Sequence, residues 1–76
     1  MMEESKKKEF MNVVEAEEFC RHNPLATGYY VFEHLRNGRV RVFAIQDAFD
    51  LDAFDIPDDV REQELREPNG EKITKW

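Results

Sequence analysis

The sequence predicts a small α+β domain in which an N-terminal helix packs on an antiparallel β-hairpin, followed by a short acidic second helix and a possible third strand at the C-terminus. Three observations in 76 residues carry this expectation. Apolar residues recur at helical spacing at Val13, Ala16, Phe19 and Cys20; two aromatic and β-branched runs flank Asn37-Gly38; and an acidic segment begins at Asp47.

Residues 1 to 8 mix charges of both signs and have no apolar residue after the two methionines, so nothing ties them to a core. They read as a flexible tail, with residues 9 to 76 as a single domain. The helical stripe places Asn12 as an N-cap with Glu15 reaching back from the third position, and Pro24 prevents continuation. Val13 and Val14 are a β-branched pair and Val14 falls off the stripe. The helix is therefore expected over 15 to 22, and a strand over 9 to 14 stays open.

Asparagine and glycine both tolerate the positive φ that a tight two-residue turn requires, so Tyr29 to Arg36 and Arg39 to Gln46 read as the arms of a hairpin. A two-residue turn would pair Arg36 with Arg39, Leu35 with Val40, Glu33 with Val42, Phe32 with Phe43 and Tyr30 with Ile45. In that register Tyr29, Val31, Leu35, Val40, Val42 and Ala44 form the face that packs on the helix, interrupted only by Glu33. The other face carries His34, Arg36, Arg39 and Arg41 near the turn and aromatic residues near the open end.

Beyond the hairpin lies a tandem pentapeptide, Asp47-Ala48-Phe49-Asp50-Leu51 and Asp52-Ala53-Phe54-Asp55-Ile56. Its period of five fits neither a helix nor a strand and reads as a crossover. Pro57 with Asp58 and Asp59 reads as the opening turn of the second helix, where proline and acids are favoured. Pro68-Asn69-Gly70 reads as a turn, and residues 71 to 76 alternate weakly enough that an edge strand stays open there.

A chain this short buries only about 60% of the surface its unfolded form exposes, which leaves little room for a deep catalytic cleft. Only Ser5, Cys20 and two threonines offer nucleophiles; Ser5 lies in the tail and Cys20 on the apolar stripe. The three glycines are scattered, so no phosphate-cradling loop is present. An enzyme is not expected, and no cofactor is implied. The aspartates from Asp50 fail the pattern of a calcium loop, because the sixth position is Asp55 rather than glycine and the twelfth is Arg61 rather than glutamate. Cys20, His22 and His34 have no zinc spacing, so no metal site is expected either.

Seventeen acids against eleven basic residues give a formal charge of −6. Nine acids stand against two arginines between Asp47 and Glu67, so all the excess negative charge lies in that segment. A charge run ordinarily means a solvated face. Aromatic residues set among the carboxylates favour contact, and the candidate protein-binding residues are Asp47, Phe49, Asp50, Asp52, Phe54, Asp55, Asp58 and Asp59, facing a basic protein partner of unknown identity. The functional expectation is a small acidic accessory or inhibitory protein acting by protein contact. One alternative is a nucleic-acid-binding module using His34, Arg36, Arg39 and Arg41 at the hairpin tip; the net charge opposes phosphate binding, and pairing of these arginines with the acidic segment competes with it. Another is a structural homodimer. One cysteine, no signal-like opening and no run approaching 18 apolar residues point to a cytoplasmic address and away from membrane insertion.

Overall fold

In the computed structural model, residues 7–46 and 56–73 are described, and Asn12 sets the first change of direction. The short strand β1 (Lys8–Phe10) ends there and the helix α1 (Val13–His22) begins. Asn12 is extended, and its side chain accepts from the Glu15 N–H at 3.0 Å, while the Glu15 carboxylate accepts from the Met11 N–H at 3.4 Å. This is the expected cap, with the reciprocal bond landing one residue early. The strand left open over 9 to 14 is confined to Lys8–Phe10, and Val13 and Val14 are helical. At the other end Asn23 closes α1, its N–H bonded to the Cys20 carbonyl at 3.1 Å.

Strands β2 (Tyr29–Leu35) and β3 (Val40–Ile45) form the expected hairpin, but in a different register. Tyr30 pairs with Ala44, Phe32 with Val42 and Glu33 with Arg41, each one residue away from the pairing a two-residue turn gives. The cause lies in the turn. The Leu35 N–H bonds the Arg39 carbonyl at 2.9 Å and the Gly38 N–H returns to the Leu35 carbonyl at 3.0 Å, so the loop has three residues, Arg36 to Gly38. Only Gly38 takes positive φ, at 93°; Asn37 does not, and its side chain instead accepts from the Arg39 N–H at 2.9 Å. A turn of this kind ending on a left-handed glycine is the standard three-residue alternative to the tight two-residue one.

A one-residue slip reverses the faces of one strand relative to the other. Tyr30 and Phe32 of β2 and Val40 and Val42 of β3 pack with Ala16 and Cys20 of α1, and Phe10, Val13, Phe19 and Leu25 close the margins of this core. Val31, Glu33 and Leu35 are buried on the opposite face, with Arg41 and Phe43 as their neighbours on β3. The face expected to meet the helix is thus divided between the two sides of the sheet.

The expected acidic second helix is not seen among the described residues. Pro57 to Val60 is a turn, closed by the Val60 N–H on the Pro57 carbonyl at 3.0 Å, and Val60–Arg66 is a strand, β4, antiparallel to β2. The proline and acids that favour a helix start serve a turn equally well, and the run Arg61 to Arg66 finds its hydrogen bonds on the free side of β2. Leu35 faces Val60 and His34 faces Glu62, so Arg61 is an extra residue that bulges the strand near the hairpin tip. Among the described residues the sheet therefore has four strands, in the order β1-β3-β2-β4. At 71–73 only a single bridge, Arg66 to Lys72, is formed, and residues 74–76 lie outside the described part of the chain.

Candidate functional site

The hairpin tip and the turn before β4 meet. Arg36 fixes them together, its backbone N–H on the Asp59 carbonyl and its side-chain Nε on the Asp58 carbonyl, both at 3.0 Å. Arg41 lies between two carboxylates. Its Nε donates to Glu33 at 2.9 Å, and its two terminal nitrogens donate to the two oxygens of Asp59 at 3.2 and 3.3 Å. The Asp59 bonds are the main reason the Arg41 guanidinium is pushed further up, and in return they hold the Asp59 carboxyl below its ordinary range.

Glu33 is 1% exposed and is the anchor of this cluster. One oxygen takes the Arg41 bond with Lys7 Nζ at 3.7 Å, and the other accepts from the Gln63 amide at 2.9 Å. A carboxylate buried among Val31, Leu35 and Val60 needs such partners, because desolvation costs several kcal/mol per ion (about 3–5 once a partner is removed). The residue that interrupts an apolar face in the expected register is, in the observed one, directly opposite an arginine.

Arg39 reaches Glu9 at 3.5 Å on the exposed rim. His34 is on the other face, its Nε2 2.9 Å from Glu64. The four tip residues named from the sequence therefore do not form one basic patch: three engage Glu9, Glu33, Asp58 and Asp59, and the fourth turns toward the helix side. Of the acidic residues named from the sequence, Asp58 and Asp59 lie at this junction and are exposed. Asp47, Phe49, Asp50, Asp52, Phe54 and Asp55 lie outside the described residues.

A second polar cluster lies between α1 and β4. The Arg66 guanidinium stacks 4.3 Å from the centre of the Phe32 ring and donates to Glu17 at 2.8 Å, the Gly70 carbonyl at 2.7 Å and Glu64 at 3.2 Å. Burial pushes the Glu64 carboxyl up, but the bonds from His34 and Arg66 together outweigh it and leave the group below the ordinary range. Glu17, His34, Glu64 and Arg66 line an open cleft of about 430 Å³ with Arg61 and Lys72. Its charges are of both signs, and Glu17, His34, Glu64 and Arg66 engage one another. Cys20 lies beneath, its thiol pushed up to about 11 by burial, against a smaller opposing pull from Arg66. Such a thiol is a poor nucleophile at neutral pH. No group of three or more His, Cys, Asp or Glu side chains among the described residues is arranged to hold a metal ion.

Glu17, Glu33, Glu64 and Arg66 were not legible as a set from sequence, since Glu17, Glu64 and Arg66 each sit in an ordinary charged run. The one available signal was Glu33 among apolar neighbours. No helix among the described residues is long and apolar enough to cross a membrane. No family model, curated protein or solved structure matches this chain.

Proposed function

We propose that this chain is a small accessory or inhibitory protein that works by presenting an acidic surface, Asp47 to Glu67, to a basic protein partner. The observation that carries the reading is the engagement of the tip arginines. Arg39 and Arg41 pair with carboxylates of their own chain and Arg36 with the carbonyls of Asp58 and Asp59, so the basic cluster at the hairpin tip is engaged within the fold. The net charge of −6 remains, concentrated in the segment that passes from the end of β3 to β4. Long-range attraction of a basic partner follows from such a field, and local screening limits it to about 8 Å at physiological salt.

Nucleic-acid binding at the tip would require these arginines to leave acidic partners for phosphates, against the field of the whole chain. Homodimerisation loses its initial motive, because a lone two-stranded sheet is marginal whereas four strands are present.

Affinity capture from native cell extract tests the proposal. Replacing Asp50, Asp52, Asp55, Asp58 and Asp59 with asparagine should abolish capture of a basic protein. Asp59→Asn alone, which breaks only the Arg41 contact, should retain most of it. Unchanged capture by the fivefold variant rules this surface out.

A further inference from the structure

Two Asn-Gly turns repeat one local geometry. Asn37 Oδ1 accepts from the Arg39 N–H at 2.9 Å, and Asn69 Oδ1 accepts from the Glu71 N–H at 3.1 Å. The Gly38 N–H returns to the Leu35 carbonyl at 3.0 Å, and the Gly70 N–H returns to the Glu67 carbonyl at 2.8 Å. Both glycines have φ near +90°, and both asparagines are exposed. In each turn the ring closed by the asparagine side chain contains that side chain's carbonyl carbon and the nitrogen of the following glycine. Those two atoms join when an asparagine cyclises, and a glycine puts no Cβ in their way.

With the same atoms in place at both turns, their surroundings decide which one reacts. Residues 36 to 39 are all exposed, and a Cβ added at Gly38 meets nothing within 4 Å among the described residues. Cyclisation there has to open the Gly38 bond to Leu35 and the Arg39 bond to Asn37, while the ties of Arg36 to Asp58 and Asp59 stay in place. Gly70 is buried against Cys20, and its carbonyl accepts from the Arg66 guanidinium at 2.7 Å. On either side of it the Leu25 N–H holds the Pro68 carbonyl at 3.1 Å and the Glu67 N–H holds the Glu71 carbonyl at 2.9 Å. Movement of this turn therefore breaks tertiary bonds that the hairpin tip does not have.

We propose that Asn37 is a site of spontaneous deamidation in the folded protein, and that Asn69 is protected by the packing of Gly70 on Cys20 and Arg66. The Gly38 nitrogen gives up its proton and attacks the Asn37 side-chain carbonyl carbon; the bond to the side-chain nitrogen breaks, and ammonia leaves carrying that proton. Water then adds to one carbonyl of the resulting five-membered imide, the ring C–N bond breaks and the nitrogen regains a proton. Opening at the side-chain carbonyl gives an aspartyl residue, and opening at the main-chain carbonyl gives an isoaspartyl residue with a main chain one carbon longer. Water is the only co-reactant. Either product adds one carboxylate between Arg36 and Arg39, so the formal charge of −6 becomes −7. The aspartyl form keeps an oxygen for the Arg39 N–H, whereas the isoaspartyl form routes the main chain through the former side chain and loses that bond. This site is independent of the acidic surface of the proposed function, and either can fail without the other.

The test is incubation of the full chain in mildly alkaline buffer, native and in denaturant, followed by cleavage after glutamate and mass spectrometry. Residues 34–62 contain Asn37 as their only asparagine, and residues 68–71 contain Asn69. In the native chain the 34–62 peptide should gain the mass of an NH-to-O exchange about tenfold faster than the 68–71 peptide, the factor that the charge-assisted Arg66 bond to Gly70 represents. In denaturant the two rates should converge. Isoaspartyl-specific methylation should label the 34–62 peptide of the native sample, and Asn37→Gln should abolish both signals there, since glutamine closes a six-membered ring far more slowly. Equal rates at the two asparagines in the native chain, the same gap in denaturant, or an unchanged Asn37 over the time the denatured chain converts overturns the proposal.

Discussion

Glu33 and Arg41 face each other across β2 and β3, with the arginine Nε 2.9 Å from a carboxylate oxygen of a residue that is 1% exposed. Arg41 continues outward to Asp59, so one guanidinium connects the buried face of the sheet to the exposed turn before β4. Arg41→Met should cost about 3 kcal/mol, since it deprives a buried carboxylate of its main partner. Replacing both residues, Glu33→Leu with Arg41→Leu, should recover most of that loss. Chemical denaturation of the two variants checks this; a double variant no more stable than the single one contradicts it.

Two glycines separate backbone strain from packing. Gly38 and Gly70 both have φ near +90°, but an added Cβ at Gly38 meets nothing within 4 Å, whereas at Gly70 it overlaps Cys20 Cβ. Gly38→Ala should cost about 1 kcal/mol from conformation alone. Gly70→Ala should cost a further 1–3 kcal/mol or so from overpacking between the 67–71 turn and α1. Thermal or denaturant midpoints rank the two, and equal costs would contradict the packing of Gly70 on Cys20.

The Cys20 thiol, raised to about 11 by burial, should carry almost no thiolate at pH 8. A thiolate-specific disulfide reagent should therefore react with the native chain far more slowly than with the chain in denaturant. Comparable rates would show that the sheet and the 67–71 turn do not cover this side chain.

Asp59 and Glu64 both sit below their ordinary values, Asp59 chiefly through its hydrogen bonds from Arg41 and Glu64 because bonds from His34 and Arg66 outweigh the effect of burial. Each therefore binds a proton more readily in the unfolded chain, and its contribution to stability is present above about pH 4 and is lost as pH falls through the folded value. Denaturation midpoints should fall between about pH 5 and pH 3, and less steeply in Asp59→Asn with Glu64→Gln. The same slope in that variant would contradict these two groups as its source.

How much of this was readable in the residues follows from what each segment could and could not distinguish. The α1 stripe and the Asn12 cap are local, and they stand as expected. Asn37-Gly38 announces a hairpin but is compatible with two loop lengths that differ in whether Asn37 takes positive φ, and that single dihedral decides which residues face Arg41 and which face α1. The better clue was energetic: the observed register sets Glu33 against an arginine, the alternative against Val42. β4 was hidden because Pro57-Asp58-Asp59 suits a turn or a helix start, and Arg61 to Arg66 contains good helix formers whose pairing with β2 prevails in the fold. Of the aspartates singled out in the acidic segment, Asp58 and Asp59 fall among the described residues, at the junction with the hairpin tip.

The alignment of β2 with β3 decides which arginines are neutralised within the fold, and proton–proton contacts across the hairpin measure it directly. The pairs Tyr30–Ala44 and Phe32–Val42 are of the closely spaced, non-hydrogen-bonded kind, with Cα atoms about 4.5 Å apart, so strong Hα–Hα cross-peaks are expected at both. Cross-peaks linking Tyr30 to Ile45 and Phe32 to Phe43 instead would return Arg41 to the side of His34 and contradict the account.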